Sequence, residues 1–401
     1  MPGSDLRSRL TPRGATRLAA VLAALSMLSP FSIDTFFPSM RAMQSEFGVD
    51  VLTVQQLLTV YMVPYAAMAL VHGPLSDALG RRAVVLVGIA IYLVVSLGCM
   101  LAPSFESILA FRAVQGLTAG VGVTVGRAVI RDLYEGKEAQ RLMSVVTMIF
   151  AVAPALAPVI GGWVHIAFGW RGVFGFLGLV SLLLLWTTWL FLPETHPEAA
   201  RQPFRAGSLM RESARILVEP RFFWLAWSSG MLFAALWIYI GSAPAIVMDT
   251  WGRGETEFGA LFFPVIGGFV LGALLSGRLA GRIEPQTQLW LSLGITGIAA
   301  VAATSIALVA EHAIVAQQCA MAFTALGVQL GAPVLTLRAL DLHPRSRGAV
   351  SSLLAFVQLA IASVTLGVAP LLGAGIAPIS VFSLACALGA VGSAWLAARC
   401  C

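Results

Sequence analysis

From Thr16 to Ala398 the chain keeps returning to nearly uncharged apolar runs of about twenty residues, the length a helix needs to cross the hydrocarbon core of a bilayer. Within lipid every backbone N–H and C=O must be satisfied by the chain itself, so only helices and closed barrels can span it. A barrel would show ~10-residue segments of alternating polarity, and none appears. The composition agrees with helices: 58% of residues are hydrophobic and only 11% are charged, against roughly 25% charged in soluble proteins. The fold class is therefore all-α and polytopic.

Twelve spans are expected: Thr16 to Met40, Thr53 to Asp77, Ala83 to Pro103, Phe105 to Gly126, Ala139 to Trp163, Val173 to Leu192, Phe222 to Met248, Phe258 to Leu279, Gln288 to Val309, Ala313 to Leu337, Gly348 to Leu372 and Ile376 to Ala398. The polar stretch Pro193 to Arg221 divides them six and six. This predicts an N-terminal bundle over 1–192, a central loop over 193–221 and a C-terminal bundle over 222–401. The halves echo each other. "GPLSDALGRR" after span two has a degraded counterpart in "SGRLAGRI" after span eight, and "RAVIRDLYEGKEAQRLMSVV" resembles "RALDLHPRSRGAVSSLL". Two pseudo-symmetric six-helix bundles with a substrate site between them describe one large transporter class.

Basic residues set the orientation. With the N-terminus cytoplasmic, Arg7, Arg9, Arg13, Arg17, Arg81, Arg82, Arg127, Arg131, Lys137, Arg141, the arginines of the central loop, Arg278, Arg282, Arg338, Arg345, Arg347 and Arg399 fall inside. Only Arg41, Arg171 and Arg253 fall outside, so both termini are expected in the cytoplasm. The net charge of +6 is spread over short connections, forms no continuous basic stripe and implies no nucleic-acid partner. The basic N-terminus followed by an apolar run resembles a secretory signal, but the run is too long and lacks a small-x-small cleavage site, so it reads as the retained first span. Cys99, Cys319, Cys386, Cys400 and Cys401 have no metal-ligand spacing and read as free thiols.

Two charges inside the spans stand out, Asp34 in span one and Arg112 in span four. Insertion scales put each at roughly 2.5 to 3.5 kcal/mol, so each should face a cavity or a partner. Asp34 lies six residues before Met40 and Arg112 eight after Ser104. Both depths are then about 9 to 12 Å, which permits pairing directly or through water. A cavity acid beside an arginine can act as a proton switch; the alternative is a fixed ion pair that holds two spans together. Tyr61, Tyr65, Gln115, Met148, Trp237, Tyr239, Gln329 and Gln358 are candidates for a cavity lining, with plain packing the competing role for each. In "GPLSDALGRR", Gly73 allows close helix packing, Gly80 permits the turn, Asp77 can cap a helix N-terminus, and Arg81 and Arg82 anchor the cytoplasmic side. In "AVAPALAPVIGG", Pro154 and Pro158 kink span five while Gly161 and Gly162 admit a neighbouring helix. No Walker loop, zinc motif or nucleophile constellation is present, so no cofactor is expected and nothing supports ATP-driven transport or hydrolysis.

In combination, "GPLSDALGRR", "LAFRAVQGLTAG", "RAVIRDLYEG" and "AVAPALAPVIGGW…FGWRGVF" resemble the major facilitator superfamily, and within it the Bcr/CflA-type drug:proton antiporters. The resemblance covers essentially the whole chain and is strongest in the first half. It implies the two-bundle fold of that superfamily, alternating access, and export of drugs or small amphipathic molecules across the bacterial inner membrane against proton influx. It makes Asp34, with Pro38 in the form D-x-x-x-P, the membrane-embedded acid and Arg112 the arginine linked to proton transfer. Gly73, Asp77, Gly80, Arg81 and Arg82 match the gating motif, and Pro154, Pro158, Gly161 and Gly162 the antiporter motif. The chain departs from the patterns in three places. Ala78 follows Asp77 where a basic residue is usual, Ala153 and Ala157 precede the span-five prolines where the superfamily has glycine, and the second half has lost the acid of the gating motif. The expected partners are the lipid bilayer, small-molecule drugs or metabolites, and protons, with a monomer as the working unit. A proton symporter importing a metabolite, or a polytopic membrane enzyme, is the rival reading.

Overall fold

The computed structural model describes residues 12–400 apart from 135, 202, 255, 345, 373 and 374. Arg7, Arg9, Arg345 and Cys401 lie outside the described residues. The described residues are mainly helical: α1 (Pro12–Asp34), α2 (Met40–Phe47), α3 (Val51–Leu79), α4 (Arg81–Leu101), α5 (Phe105–Ala119), α6 (Val121–Leu133), α7 (Gly136–Phe191), α8 (Ala206–Leu217), α9 (Pro220–Gly241), α10 (Gly259–Leu279), α11 (Pro285–Val309), α12 (Ile314–Leu342), α13 (Arg347–Val368) and α14 (Ile376–Arg399). Among the described residues eleven helical segments are long and apolar enough to cross a membrane. The expected fifth and sixth spans share α7, which breaks at Gly169. There φ is +68°, a left-handed conformation that glycine alone adopts without a Cβ penalty.

Several boundaries differ from the sequence reading, among them that of span seven, whose α-helix ends at Gly241 before a π-helical turn over Ala245–Thr250. Span one ends its α-helix at Asp34, continues as a 3₁₀ turn over Phe37–Ser39 and resumes as α2. Span four is broken at Gly120 between α5 and α6. The central stretch, read as a polar loop, carries the amphipathic helix α8, whose buried positions Ser213 and Ile216 face its own unit while Met210 and Arg211 are exposed.

The chain divides into two compact units, one built from residues up to Val49 with Val60–Arg205, the other from Asp50–Thr59 with Ala206 onward. In the first, α1 and α4 pack against α7, and α4 also packs against α5. Its buried aromatic layer includes Phe36 stacked on Phe174 (6.2 Å between centroids) and Trp170 edge-on to Phe174. In the second, α9 packs on α13 and α14, and α12 on α10 and α11. Long apolar side chains also stand on the outside, among them Val94, Leu101, Phe168 and Ile298, each at least 66% exposed. Such a coat would be a liability in water and is what lipid-facing helices present.

Candidate functional site

The D-x-x-x-P spacing explains how the end of α1 is built. Pro38 has no N–H and its ring clashes with the carbonyl four residues back, which is that of Asp34, so the regular ladder stops there. Thr35 closes the turn by donating its N–H and its hydroxyl to the Phe31 carbonyl at 3.1 and 2.6 Å. Gly161 of α7 presses directly on the Thr35 carbonyl, and a Cβ at that glycine would collide with it. Gly161 thus seats α7 against the break that carries Asp34. Pro158 and Gly162 are buried beside it on α7, with Pro154 half-buried one turn earlier.

Asp34 is fully buried, and among the described residues neither carboxylate oxygen has a hydrogen-bond partner. An ionised carboxylate with no cation and no donor is among the most costly groups to bury. The site therefore calls for a proton or a bound cation on that carboxylate, or for a rearrangement that admits water.

Arg112, equally buried on α5, turns to neutral groups. Its Nη1 donates to the Ser32 carbonyl (3.0 Å), the Ser32 hydroxyl (3.2 Å) and Gln115 Oε1 (2.9 Å). Its guanidinium lies over the rings of Tyr61 and Phe36, at 4.3 and 4.6 Å from their centroids. Gln115 in turn donates to Ser96 Oγ at 2.9 Å. Asp34 and Arg112 share a depth yet form no direct ion pair. The reason is azimuth: Arg112 grips Ser32, two residues before Asp34, and positions i and i+2 on a helix point to nearly opposite sides.

Of the lining candidates, Tyr61 and Gln115 belong to the Arg112 cluster, and Tyr65 stands next to Tyr61 at 5.9 Å between ring centroids. Met148 is 58% exposed on α7. In the other unit Trp237 and Tyr239 are buried on α9, Gln358 of α13 donates to Ser229 Oγ of α9 at 2.7 Å, and Gln329 is half-buried on α12.

The turn that carries "GPLSDALGRR" is organised around a residue that sequence reasoning missed. Gly80 adopts φ +99° and starts α4. The N–H groups of Arg81 and Arg82, next in the chain, donate to the two carboxylate oxygens of Glu194 at 2.9 and 3.2 Å. Glu194 therefore supplies the anion at the helix N-terminus, where unsatisfied N–H groups and the dipole favour one. Asp77, expected to fill such a role, instead pairs with Arg81 Nη1. Arg81 also donates through Nη1 to Ser76 Oγ (2.6 Å) and through Nε to Asp132 (3.2 Å), to which the Thr195 hydroxyl also donates, and Arg82 donates to the Trp189 carbonyl. Gly73, expected to admit a close helix, has open space instead: a Cβ there would meet nothing within 4 Å, so no neighbour uses the room. The only local signal for Glu194 is an acid placed directly after the sixth apolar run.

The sequence pattern of the Major Facilitator Superfamily matches residues 22–366. The chain belongs to that superfamily. Among curated relatives, it is 29% identical over 340 residues to the multidrug transporter MdfA of Edwardsiella ictaluri, covering 84% of this chain and 81% of the relative. It is 27% identical over 274 residues to a bicyclomycin resistance protein homologue of Haemophilus influenzae, covering 68% and 69%. Among solved structures, a bacterial homologue of the human lysosomal transporter Spinster superposes with a TM-score of 0.75 over 97% of both chains at 16% identity, a likeness of fold. The protein is thus a multi-pass membrane transporter of this superfamily, all-α, working in a lipid bilayer on small-molecule substrates.

Proposed function

We propose that this major facilitator exports drugs or other small amphipathic molecules by exchanging them for protons, with Asp34 as the exchanging group. The observation that carries the proposal is the carboxyl of Asp34, buried, without a hydrogen-bond partner and set at a helix break. In the buried arrangement a proton neutralises the group. When the break opens to water or to a cationic substrate, the carboxyl releases its proton and the anion becomes compensated. A membrane potential contributes roughly 2.3 kcal/mol per charge per 100 mV to such a cycle. Arg112 modulates the cycle through α1, because its grip on Ser32 fixes the helix two residues from the acid. The apolar and aromatic surroundings suit amphipathic ligands, since apolar contacts are non-directional and tolerate many shapes. The names of the relatives, a multidrug transporter and a bicyclomycin resistance protein homologue, support the substrate class.

In this reading the protein resides in the bacterial inner membrane with both termini in the cytoplasm, as the distribution of basic residues favours. It acts as a monomer, needs no cofactor beyond the coupling proton and catalyses no covalent chemistry. Transport into everted membrane vesicles tests the proposal. A lipophilic cationic dye should accumulate when the vesicle interior is acid and leave when a protonophore collapses the gradient. Uptake that survives the protonophore would contradict proton exchange.

A further inference from the structure

The helix α8 has two apolar faces, and its own unit covers only one. Leu209, Ser213 and Ile216 turn toward α9 and α13. At about 100° per residue, Met210, Ala214 and Val218 form a second stripe within an arc of about 80°. All three are exposed, Met210 at 72% and Val218 at 75%. The helix continues to Val218, whose N–H donates to the Ala214 carbonyl at 3.0 Å. Arg211 and Arg215, both exposed, border this stripe on one side. Glu212 lies further round, between the arginines and the covered face. Glu219 is held 2.6 Å from His343 Nε2, so its carboxylate is engaged away from the stripe.

The neighbouring span fixes the depth of α8. The membrane-crossing helix α9 begins at Pro220, two residues beyond Val218. Its first two turns carry Phe223, edge-on to Trp224 at 5.1 Å and stacked on Trp227 at 5.7 Å, an aromatic group of the kind that marks the headgroup level. A helix joined so closely to that level, with an apolar stripe edged by arginines, has the form of an interfacial helix.

We propose that α8 is a membrane-surface anchor: Met210, Ala214 and Val218 lie in the headgroup region of the adjoining leaflet, and Arg211 and Arg215 bind the phosphates of anionic phospholipids. The positive border selects this occupant over a second protein's apolar face, which would leave two arginines desolvated at its edge. Such anchoring is independent of proton exchange and of the substrate.

The test uses the full-length chain with Cys319, Cys400 and Cys401 changed to serine and a spin label at Ala214→Cys, reconstituted in nanodiscs. Collision with oxygen and with a water-soluble nickel chelate reports the depth of the label. With phosphatidylglycerol added to phosphatidylcholine, the label should become more accessible to oxygen and less to nickel. The combined Arg211→Gln and Arg215→Gln changes should shift the docked population back by about fivefold per arginine, while the unchanged helical spectrum shows that the fold survives. Equal nickel accessibility in both lipids would overturn the proposal. So would a label shielded from both reagents, which would mean that protein covers the stripe.

Discussion

Asp34 and Arg112 are legible in the sequence because each interrupts an apolar run, and their common depth comes from counting residues. Their separation is not legible, because it depends on which way each side chain leaves its helix, and a count along the helix axis carries no azimuth. Ser32, the residue that decides it, is one serine among several in α1. The glycines teach a similar lesson. Gly73 and Gly161 both sit in recognisable motifs, yet only Gly161 touches a neighbouring backbone, the carbonyl of Thr35. Gly161→Ala should therefore destabilise the protein by about 1 to 3 kcal/mol through overpacking, whereas Gly73→Ala should stay within about 0.5 kcal/mol of the parent. Thermal unfolding of the detergent-solubilised variants, followed by circular dichroism, measures both. Equal losses would mean that Gly161 has room to give.

At the scale of elements, apolar run length locates the spans, since hydropathy reports burial in lipid directly. What it cannot locate are breaks and caps. The interruption at Gly120 leaves no mark in the apolar pattern, and the cap of α4 comes from Glu194, 113 residues from the N–H of Arg81 that it accepts. Removing that carboxylate with Glu194→Ala should lower stability by about 1 kcal/mol, the typical worth of a helix N-terminal acceptor. Denaturant unfolding in mild detergent reads the loss, and an unchanged midpoint would show that water replaces the cap.

A second acid orders the short connection before α10. Glu257 accepts from the Gly254 N–H at 2.8 Å and from Arg253 at 3.0 Å, and these contacts hold its carboxyl below the usual glutamate range, the backbone bond to Gly254 first. A depressed folded value means that the stabilisation is complete above the ordinary glutamate range and is lost as pH falls through the folded value. Hydrogen-exchange protection of the Gly254 amide should accordingly decline on acidification, and in Glu257→Gln it should be weaker and pH-independent. Protection that holds constant through the acid range would remove this role.

For the whole molecule, the charge distribution, the repeated motifs and the polar divide after the sixth apolar run all come from sequence, and membership of the superfamily agrees with the fold they suggest. The amphipathic character of the central stretch is hidden there because its arginines dominate a reading by polarity, while its apolar positions emerge only at helical spacing. In the proposed exchange cycle, function turns on one group. A buried carboxyl with no partner needs a proton, a cation or an opening to water to complete it, so in that cycle substrate binding and proton release should be two readings of one event. The direct measurement is proton release from purified protein in weakly buffered detergent near neutral pH as neutral and cationic drugs are added, with Asp34→Asn alongside. Drug-dependent release is expected from the parent and none from Asp34→Asn; the same release from both would contradict proton exchange at Asp34.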